Sequence, residues 1–533
     1  MTRSVARDQH EGVTRRALGI GSLAAAAASI APPRADAAPS GAATSGSAST
    51  KARVQAIIPA LEDYVSKGMA LWQVPGAAVG VVVDDDVVYA RGFGLRDLSA
   101  SAPVDANTVF GIGSTTKAFT AATEAIMVDR GKMRWTDKVL DHDPAFRLYD
   151  PWVTREFEIL DLLAQRSGMR PYVLDPMWAL GYSADEMVAA LRHARPVSSF
   201  RTTFAYQNIL HLVAGGIVAR QAGAKSWGDA LKTLLLEPLG MKDTSSTTAA
   251  LVGAPNRAVG HAMMNGKLQP FDPPPPFDAV GPAGAMNASV ADMLKWLRLQ
   301  TGRGSFEGKR IVSEENLTET WRPRVEIPGV PGFPVNSAAY ASGWIFQLSA
   351  NGRFIWHNGG TGLIKAHAGF IPDQRVGFVM LTNEGANALQ DATGLWFYDR
   401  VLGNPEVDYS AQYRGKLDDA RRAAEAAIRR PDPPTSPGAL GDYAGHYRSP
   451  VLKAATIAVA GGSLRLTFEA TRYPLILRPW NGEAFSLDSE NRLIAVSLVS
   501  DGPTLVQFQR DPSGKVSELR FIGNEELTLT RTT

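Results

Sequence analysis

The sequence predicts an α/β fold in which an antiparallel sheet is flanked by helices and interrupted by an inserted helical subdomain, followed by a C-terminal all-β barrel. Three observations predict it. Val-rich runs lie in residues 76–97 and strand-like runs return after about residue 340, so the two ends of one domain are brought together in a single sheet. Residues 135–300, between them, read mostly as helices at a 3.6-residue apolar spacing. Residues 438–533, beyond a Pro/Ser cluster, alternate short apolar runs with Gly, Asn and Asp turns.

Composition narrows the function classes. A chain of 533 residues is too long for one ordinary core, which sets two or three domains. A net charge of +2 with interspersed signs offers no patch for nucleic acid or an acidic membrane surface. The absence of cysteine removes disulfides, thiol catalysis and Cys-based zinc sites. Eight histidines without an H-E-x-x-H pair argue against a metalloenzyme, so no metal site is assigned.

Residues 1–37 read as an export signal. Arg15 and Arg16 precede an Ala/Gly-rich apolar run, and Ala35–Asp36–Ala37 is a small-x-small cleavage site, which together resemble a twin-arginine signal. The apolar run, residues 18–31, is shorter than the roughly 20 residues a membrane span needs. The expected location is periplasmic or secreted, with no stable membrane insertion of the mature protein. Residues 38–50 are Ser/Ala/Gly/Thr-rich and read as a flexible lead-in.

The elements then follow in order. "VQAIIPALEDYVSKGMALW" is a helix, and "GAAVGVVVD" and "VVYARGFGLRD" form a hairpin on the surface of a sheet. "FEILDLLAQRSG" reads as a helix ending at Gly168, and "NILHLVAGGIVARQAG" as one closed by Gly223. In "SVADMLKWLRLQTG", Ser289 and Asp292 have capping-box spacing. The four prolines at residues 273–276 form a stiff extended loop on the rim of a pocket or, equally, a plain connector. "ASGWIFQLSANGRFIWHNGG" holds two strands around Asn351–Gly352, and "AHAGFIPDQRVGFVMLTN" a second hairpin. "ALQDATGLWFYDRVLG" closes a domain spanning residues 51–405. A charged helix and Pro-rich linker occupy residues 406–437, and the barrel residues 438–533, with Tyr473 and Trp480 read as its core.

Three motifs carry chemistry. In "GIGSTTKAFTAA", Ser114 and Lys117 are three residues apart and share a helix face. Serine needs a base, and lysine serves as one only when burial or positive neighbours lower its pKa. The Ser114 N–H lies in the first helical turn, where unsatisfied donors can face an oxyanion. In "FAYQNILHL", Tyr206 can exchange protons with a serine hydroxyl beside an ammonium group, and Asn208 offers an amide to a substrate carbonyl. Alone, Tyr206 equally fits a core-edge aromatic and Asn208 a helix cap. In "WHNGGTG", the Gly360 N–H on a strand edge can supply a second oxyanion donor, and His357 can bind a carboxylate or move a proton.

S-x-x-K, then Y-x-N about ninety residues on, then H-x-G on a late strand, resembles the class C β-lactamase-like serine hydrolases of the penicillin-binding-protein superfamily. "VPGAAVGVVVDDDVVYARGFGLRD", "LLEPLGMKDTS" and "GPAGAMNASVADMLKWL" also look like this family, over about residues 50–402. "LGDYAGHYRSP" opens like the small lipocalin-like barrel often attached to such enzymes. Relatives of this kind include D-amino-acid peptidases, esterases and linear-microcystin hydrolases.

The resemblance implies an acyl-enzyme on Ser114, base and acid roles shared by Lys117 and Tyr206, and an oxyanion held by the Ser114 and Gly360 N–H groups. It also implies Asn208 and His357 as substrate-positioning residues, and no cofactor. The expected reaction is hydrolysis of amide bonds in small or linear peptides. Esterase or weak β-lactamase activity with the same residues is one alternative; a non-catalytic ligand-binding or sensor protein is another. Family β-lactamases carry K-T-G where this chain has His357–Asn358–Gly359, a form commoner in esterases and peptidases. The family's "HTSG" is here Gln165–Arg166–Ser167–Gly168. The substrate is thus a small peptide or ester, and the sequence leaves a homo-oligomer open.

Overall fold

The computed structural model describes residues 47–264, 266–328, 337–471, 474–491 and 504–532. The twin-arginine segment, most of the lead-in, Tyr473 and the "LIAVSLV" run lie outside the described residues. The chain divides into two compact units. One runs from the start of the described chain to Tyr172 and over Ala184–Arg414; the other joins Val173–Ser183 to Gly415–Thr533.

The larger unit is built on an antiparallel nine-stranded sheet. Helix α1 (Ser47–Trp72) leads into the hairpin β1 (Gly76–Val83) and β2 (Asp86–Asp97), with β3 (Ala102–Pro103) at the edge. The late strands are β4 (Val325–Ile327), β5 (Ser337–Tyr340), β6 (Ile345–Ser349), β7 (Gly352–Gly360), β8 (Lys365–Ile371) and β9 (Val376–Thr382). Their order is β4-β5-β6-β7-β8-β9-β1-β2-β3, so the chain ends do meet, through the β1–β9 pair with Val79 opposite Met380.

Of the first hairpin, which its sequence places on the surface of the sheet, β2 is exposed or half-buried throughout but β1 is interior. All eight residues of β1 are buried, because β9 covers the side of it that β2 leaves free and helices cover both faces. Each valine so buried contributes about 1.5–3 kcal/mol. Helix α4 (Val290–Thr301) packs so closely at Gly80 that a β-carbon there would meet Val290 at 2.6 Å. Helix α5 (Leu389–Leu402) lies on the other face, stacking Phe397 on Phe378 at 5.0 Å.

The helices between the two strand groups include α2 (Thr116–Asp129) and α3 (Ile209–Ala222). Gly223 closes α3 in the left-handed conformation, φ 65°. The Ser289 side chain caps α4 by accepting from the Asp292 N–H. The run read as a helix to Gly168 is helical only over Ile159–Leu163, since Gln165 takes φ 56° and turns the chain away. Among the described residues no helix is long and apolar enough to cross a membrane.

The second unit is a closed eight-stranded barrel from β10 (Gly445–Ser449) to β17 (Asn524–Thr532). Its interior is filled by Tyr443, Phe485 and Phe508, with ring centroids 4.7–5.3 Å apart. Trp480 is not among them: it is half-buried and carries the Arg430 guanidinium over its ring. Segment Val173–Ser183, inside the span read from sequence as hydrolase domain, belongs to this unit. Tyr182 is buried, donates to the Leu452 carbonyl at 2.6 Å and meets Phe468 edge-on.

Candidate active site

Ser114 sits in the 3₁₀ turn Gly113–Thr115 that leads directly into α2. The turn abuts the end of β7. Strand β6 pairs with β7 only as far as Ile345 opposite Trp356, so residues 357–360 keep one backbone edge outside that pairing. The turn occupies this edge because both sides are glycine. Gly113 has φ 52°, and a β-carbon on it would collide with the Gly360 nitrogen. A β-carbon on Gly359 would collide with the Ile112 carbonyl and lie 2.9 Å from the Ser114 nitrogen. The two proposed oxyanion donors, the N–H groups of Ser114 and Gly360, therefore sit on directly apposed backbone.

Lys117 is fully buried while Ser114 is partly exposed. One helical turn places the Lys117 ammonium where it donates to Ser114 Oγ at 3.0 Å and to the Ala283 carbonyl at 2.8 Å. It also lies over the Tyr206 ring, 4.8 Å from the centroid. The structure thus brings Ser114, Lys117 and Tyr206 together. Asn208 stands at the N-cap position of α3, yet its side chain makes no cap hydrogen bond.

His357 faces this cluster and Asn358 the opposite side of the sheet, as strand alternation requires. Asn358 donates to Asp391 at 2.8 Å, and the same carboxylate bonds His367 at 2.9 Å. His357 is only 1% exposed. Burial, reinforced by the charge of Lys117, pushes its pKa down to about 3. Its Nε2 lies 2.9 Å from the Tyr340 hydroxyl.

Two residues of the cluster were not singled out by sequence reasoning in these roles. Tyr340, at the end of β5, is fully buried; its hydroxyl lies 2.9 Å from His357 Nε2 and its ring packs edge-on against that of Tyr206. Gln165 holds the Tyr206–Gln207–Asn208 segment, accepting from the Gln207 N–H at 2.5 Å and donating to the Gln207 carbonyl at 3.1 Å. The substitution of Gln165 into the "HTSG" stretch was the one signal available for it. For Tyr340 there was none, since a tyrosine ending a short strand is ordinary core.

A small cleft of about 20 Å³, room for little more than one water, lies between Gly111 and Thr361, three residues before Ser114 and directly after Gly360; none of Ser114, Lys117, Tyr206 or Gly360 lines it. Pro274 and Pro275 line it, so the proline loop is part of its wall. Its remaining lining, Leu251, Phe277 and Leu363 among it, carries no charged side chain. The arrangement can present a hydroxyl, a buried amine and two backbone donors to a substrate carbonyl.

Comparison with known proteins agrees with this geometry. The sequence profile of the family described as Beta-lactamase matches residues 61–401, and that of a domain of unknown function, DUF3471, matches residues 429–531. The chain is 27% identical over 427 residues to unguisins hydrolase ungD' of Aspergillus campestris (strain IBT 28561), covering 74% of this chain and 76% of that one. It is 26% identical over 326 residues to penicillin-binding protein 4 of Amycolatopsis lactamdurans, covering 58% and 81%. Among solved structures, the octameric penicillin-binding protein homologue from Pyrococcus abyssi superposes with a TM-score of 0.59 at 22% identity, over 89% of this chain and all of that one.

Proposed function

The chain belongs to the beta-lactamase family, and from that premise we propose that it is a serine hydrolase which cleaves amide bonds of small or linear peptides through an acyl-enzyme on Ser114. The observation that carries this reading is the buried Lys117 amine 3.0 Å from Ser114 Oγ, beside two glycines that let strand β7 touch the serine's own turn.

The reaction follows from those atoms. Ser114 Oγ attacks the substrate carbonyl carbon, and its proton passes to Lys117 Nζ in the neutral amine form. The carbonyl electron pair moves onto oxygen, which the Ser114 and Gly360 N–H groups hold; such a donor is worth about 3–4 kcal/mol in the transition state. The C–N bond then breaks, and the leaving amine takes a proton delivered from Lys117 by way of Tyr206. Water attacks the acyl-enzyme by the reverse path and Ser114 regains its proton. Asn208 hydrogen-bonds the substrate amide beside the scissile bond.

One feature favours a peptide over a β-lactam: the absence of the K-T-G lysine at residues 357–359. The relative from Aspergillus is named as an unguisins hydrolase, which supports hydrolysis as the reaction. An esterase using the same residues is the second reading, since a serine nucleophile and an oxyanion hole act on an ester carbonyl as on an amide. Export by the twin-arginine segment would bring the enzyme to a periplasmic or extracellular peptide.

The test is covalent. An alkyl fluorophosphonate is expected to add once, on Ser114, in intact-mass and peptide-mapping measurements. Ser114→Ala is expected to abolish both the adduct and turnover, a loss of at least about a thousandfold. An adduct elsewhere, or full activity of the variant, would end the proposal. Comparing kcat/KM for p-nitrophenyl esters, nitrocefin and peptides with L- or D-residues flanking the scissile bond separates the readings.

A further inference from the structure

Residues 358–360 carry the Gly360 N–H into the site with little to hold them. On one side they extend beyond the pairing with β6. On the other they pair with β8, where Asn358, Gly359 and Gly360 stand opposite His367, Ala366 and Lys365. Gly359 and Gly360 have no side chains and a loosely restricted backbone, so Asn358 supplies the only side chain of the stretch. It points away from the Ser114 turn, and its Nδ2 donates to Asp391 Oδ2 on α5 at 2.8 Å. Asp391 is itself braced. Its Oδ1 accepts from Nδ1 of the fully buried His367 at 2.9 Å. That ring cannot turn aside. Trp356 stacks on it at 5.1 Å, and the Tyr398 hydroxyl lies 3.2 Å from its Nε2. A β-carbon on Gly394, one helical turn after Asp391, would collide with it.

We propose that Asp391 is a positioning residue for the reaction: braced by His367, it anchors β7 through Asn358 and thereby holds the Gly360 N–H at its spacing from the Ser114 N–H. The inference rests on the serine-hydrolase reading above. An oxyanion donor works within about 2.7–3.1 Å of the oxygen that gains charge, and a shift of about 1 Å can cost about a hundredfold in rate. Glycine backbone unpaired on one edge does not keep that tolerance by itself. No side chain on Gly359 could keep it from the front of the strand, since a β-carbon there would collide with the Ile112 carbonyl. The hold therefore comes from the back, through the side chain nearest the donor. Its effect is kinetic, because the donor matters most where negative charge develops in the transition state.

The test exchanges the anchoring pair. Asn358→Asp sets two carboxylates against each other. With Asp391→Asn added, an amide on α5 can donate to a carboxylate on β7 while its carbonyl oxygen accepts from His367. The readout is Ser114 labelling by an alkyl fluorophosphonate, whose phosphoryl oxygen draws on the same two N–H groups. Rates are taken per folded molecule, as judged by circular dichroism. At about pH 8, Asn358→Asp is expected to label about tenfold more slowly than the wild type, and the double variant to return within about threefold of it. Wild-type labelling by Asn358→Asp overturns the proposal, as does a double variant no faster than Asn358→Asp. A lowered Tm with unchanged labelling of the folded protein would show an anchor for stability alone and overturn it too. If Asn358→Asp does not fold, Asn358→Ala removes the anchor without adding a charge and is expected to label about fivefold more slowly; wild-type labelling there overturns the proposal. Failure of the wild-type chain to label on Ser114 at all would instead overturn the serine-hydrolase reading, and this inference with it.

Discussion

Lys117 and Glu124 lie two turns apart on α2, both fully buried, and differ in their surroundings. The lysine has Ser114 and Ala283 as partners. Among the described residues neither Glu124 oxygen has one, and burial raises its carboxyl well above the usual range. The folded chain therefore holds a proton there that the unfolded chain releases above about pH 4.5. Its effect is accordingly unfavourable to folding as pH rises through that value. Glu124→Met is expected to raise stability by about 1–3 kcal/mol at pH 8 and by less at pH 4.5, in urea melts at the two pH values. An equal gain at both would contradict it. Legibility at this scale depends on sequence distance. Ser114 and Lys117 were readable because helical geometry alone fixes an i, i+3 pair. Tyr340 was not, because His357, which its hydroxyl meets, and Tyr206, against whose ring it packs, are brought to it only by the tertiary fold.

At the scale of elements, the contact between the Ser114 turn and β7 depends on Gly113. Alanine there faces both a positive φ and the Gly360 backbone, which cannot move aside as a flexible side chain could. Gly113→Ala is expected to cost about 2 kcal/mol or more and to slow Ser114 labelling further than that loss of folded protein explains. Normal labelling by the folded fraction would show that the spacing of the two N–H groups is not critical. The hairpins were legible because turn residues and apolar alternation are local, and Gly223 marked the end of α3 as written. The helix ending at Leu163 was not, because its departure is set by Gln165 reaching the backbone of Gln207, forty-two residues on. The depth of β1 was hidden for the same reason, its second neighbour β9 being supplied by the far end of the unit.

For the whole molecule, the two-unit division runs through the sequence three times. A chain ending at Arg414 would retain Val173–Ser183 but lose the barrel residues that Tyr182 engages, Leu452 and Phe468. Such a truncation is expected to be less soluble than the full chain, and to gain solubility when Leu180 and Tyr182 are also replaced by serine. A truncation as soluble as the full chain would show that the segment has no need of the barrel. Composition announced the barrel and its Pro-rich approach, but nothing in "VLDPMWALGYS" distinguishes it from the helices around it. The segment begins immediately after Tyr172, whose N–H donates to the Tyr206 carbonyl at 2.7 Å. A consequence follows for ancestry and for engineering. The barrel is not a tail that a gene can acquire or exchange at one junction: any recombination point between residues 183 and 414 hands a barrel to a host peptide it was never fitted to. Chimeras with related hydrolases need three crossovers, after residues 172, 183 and 414, and descent of the two segments is expected to be shared.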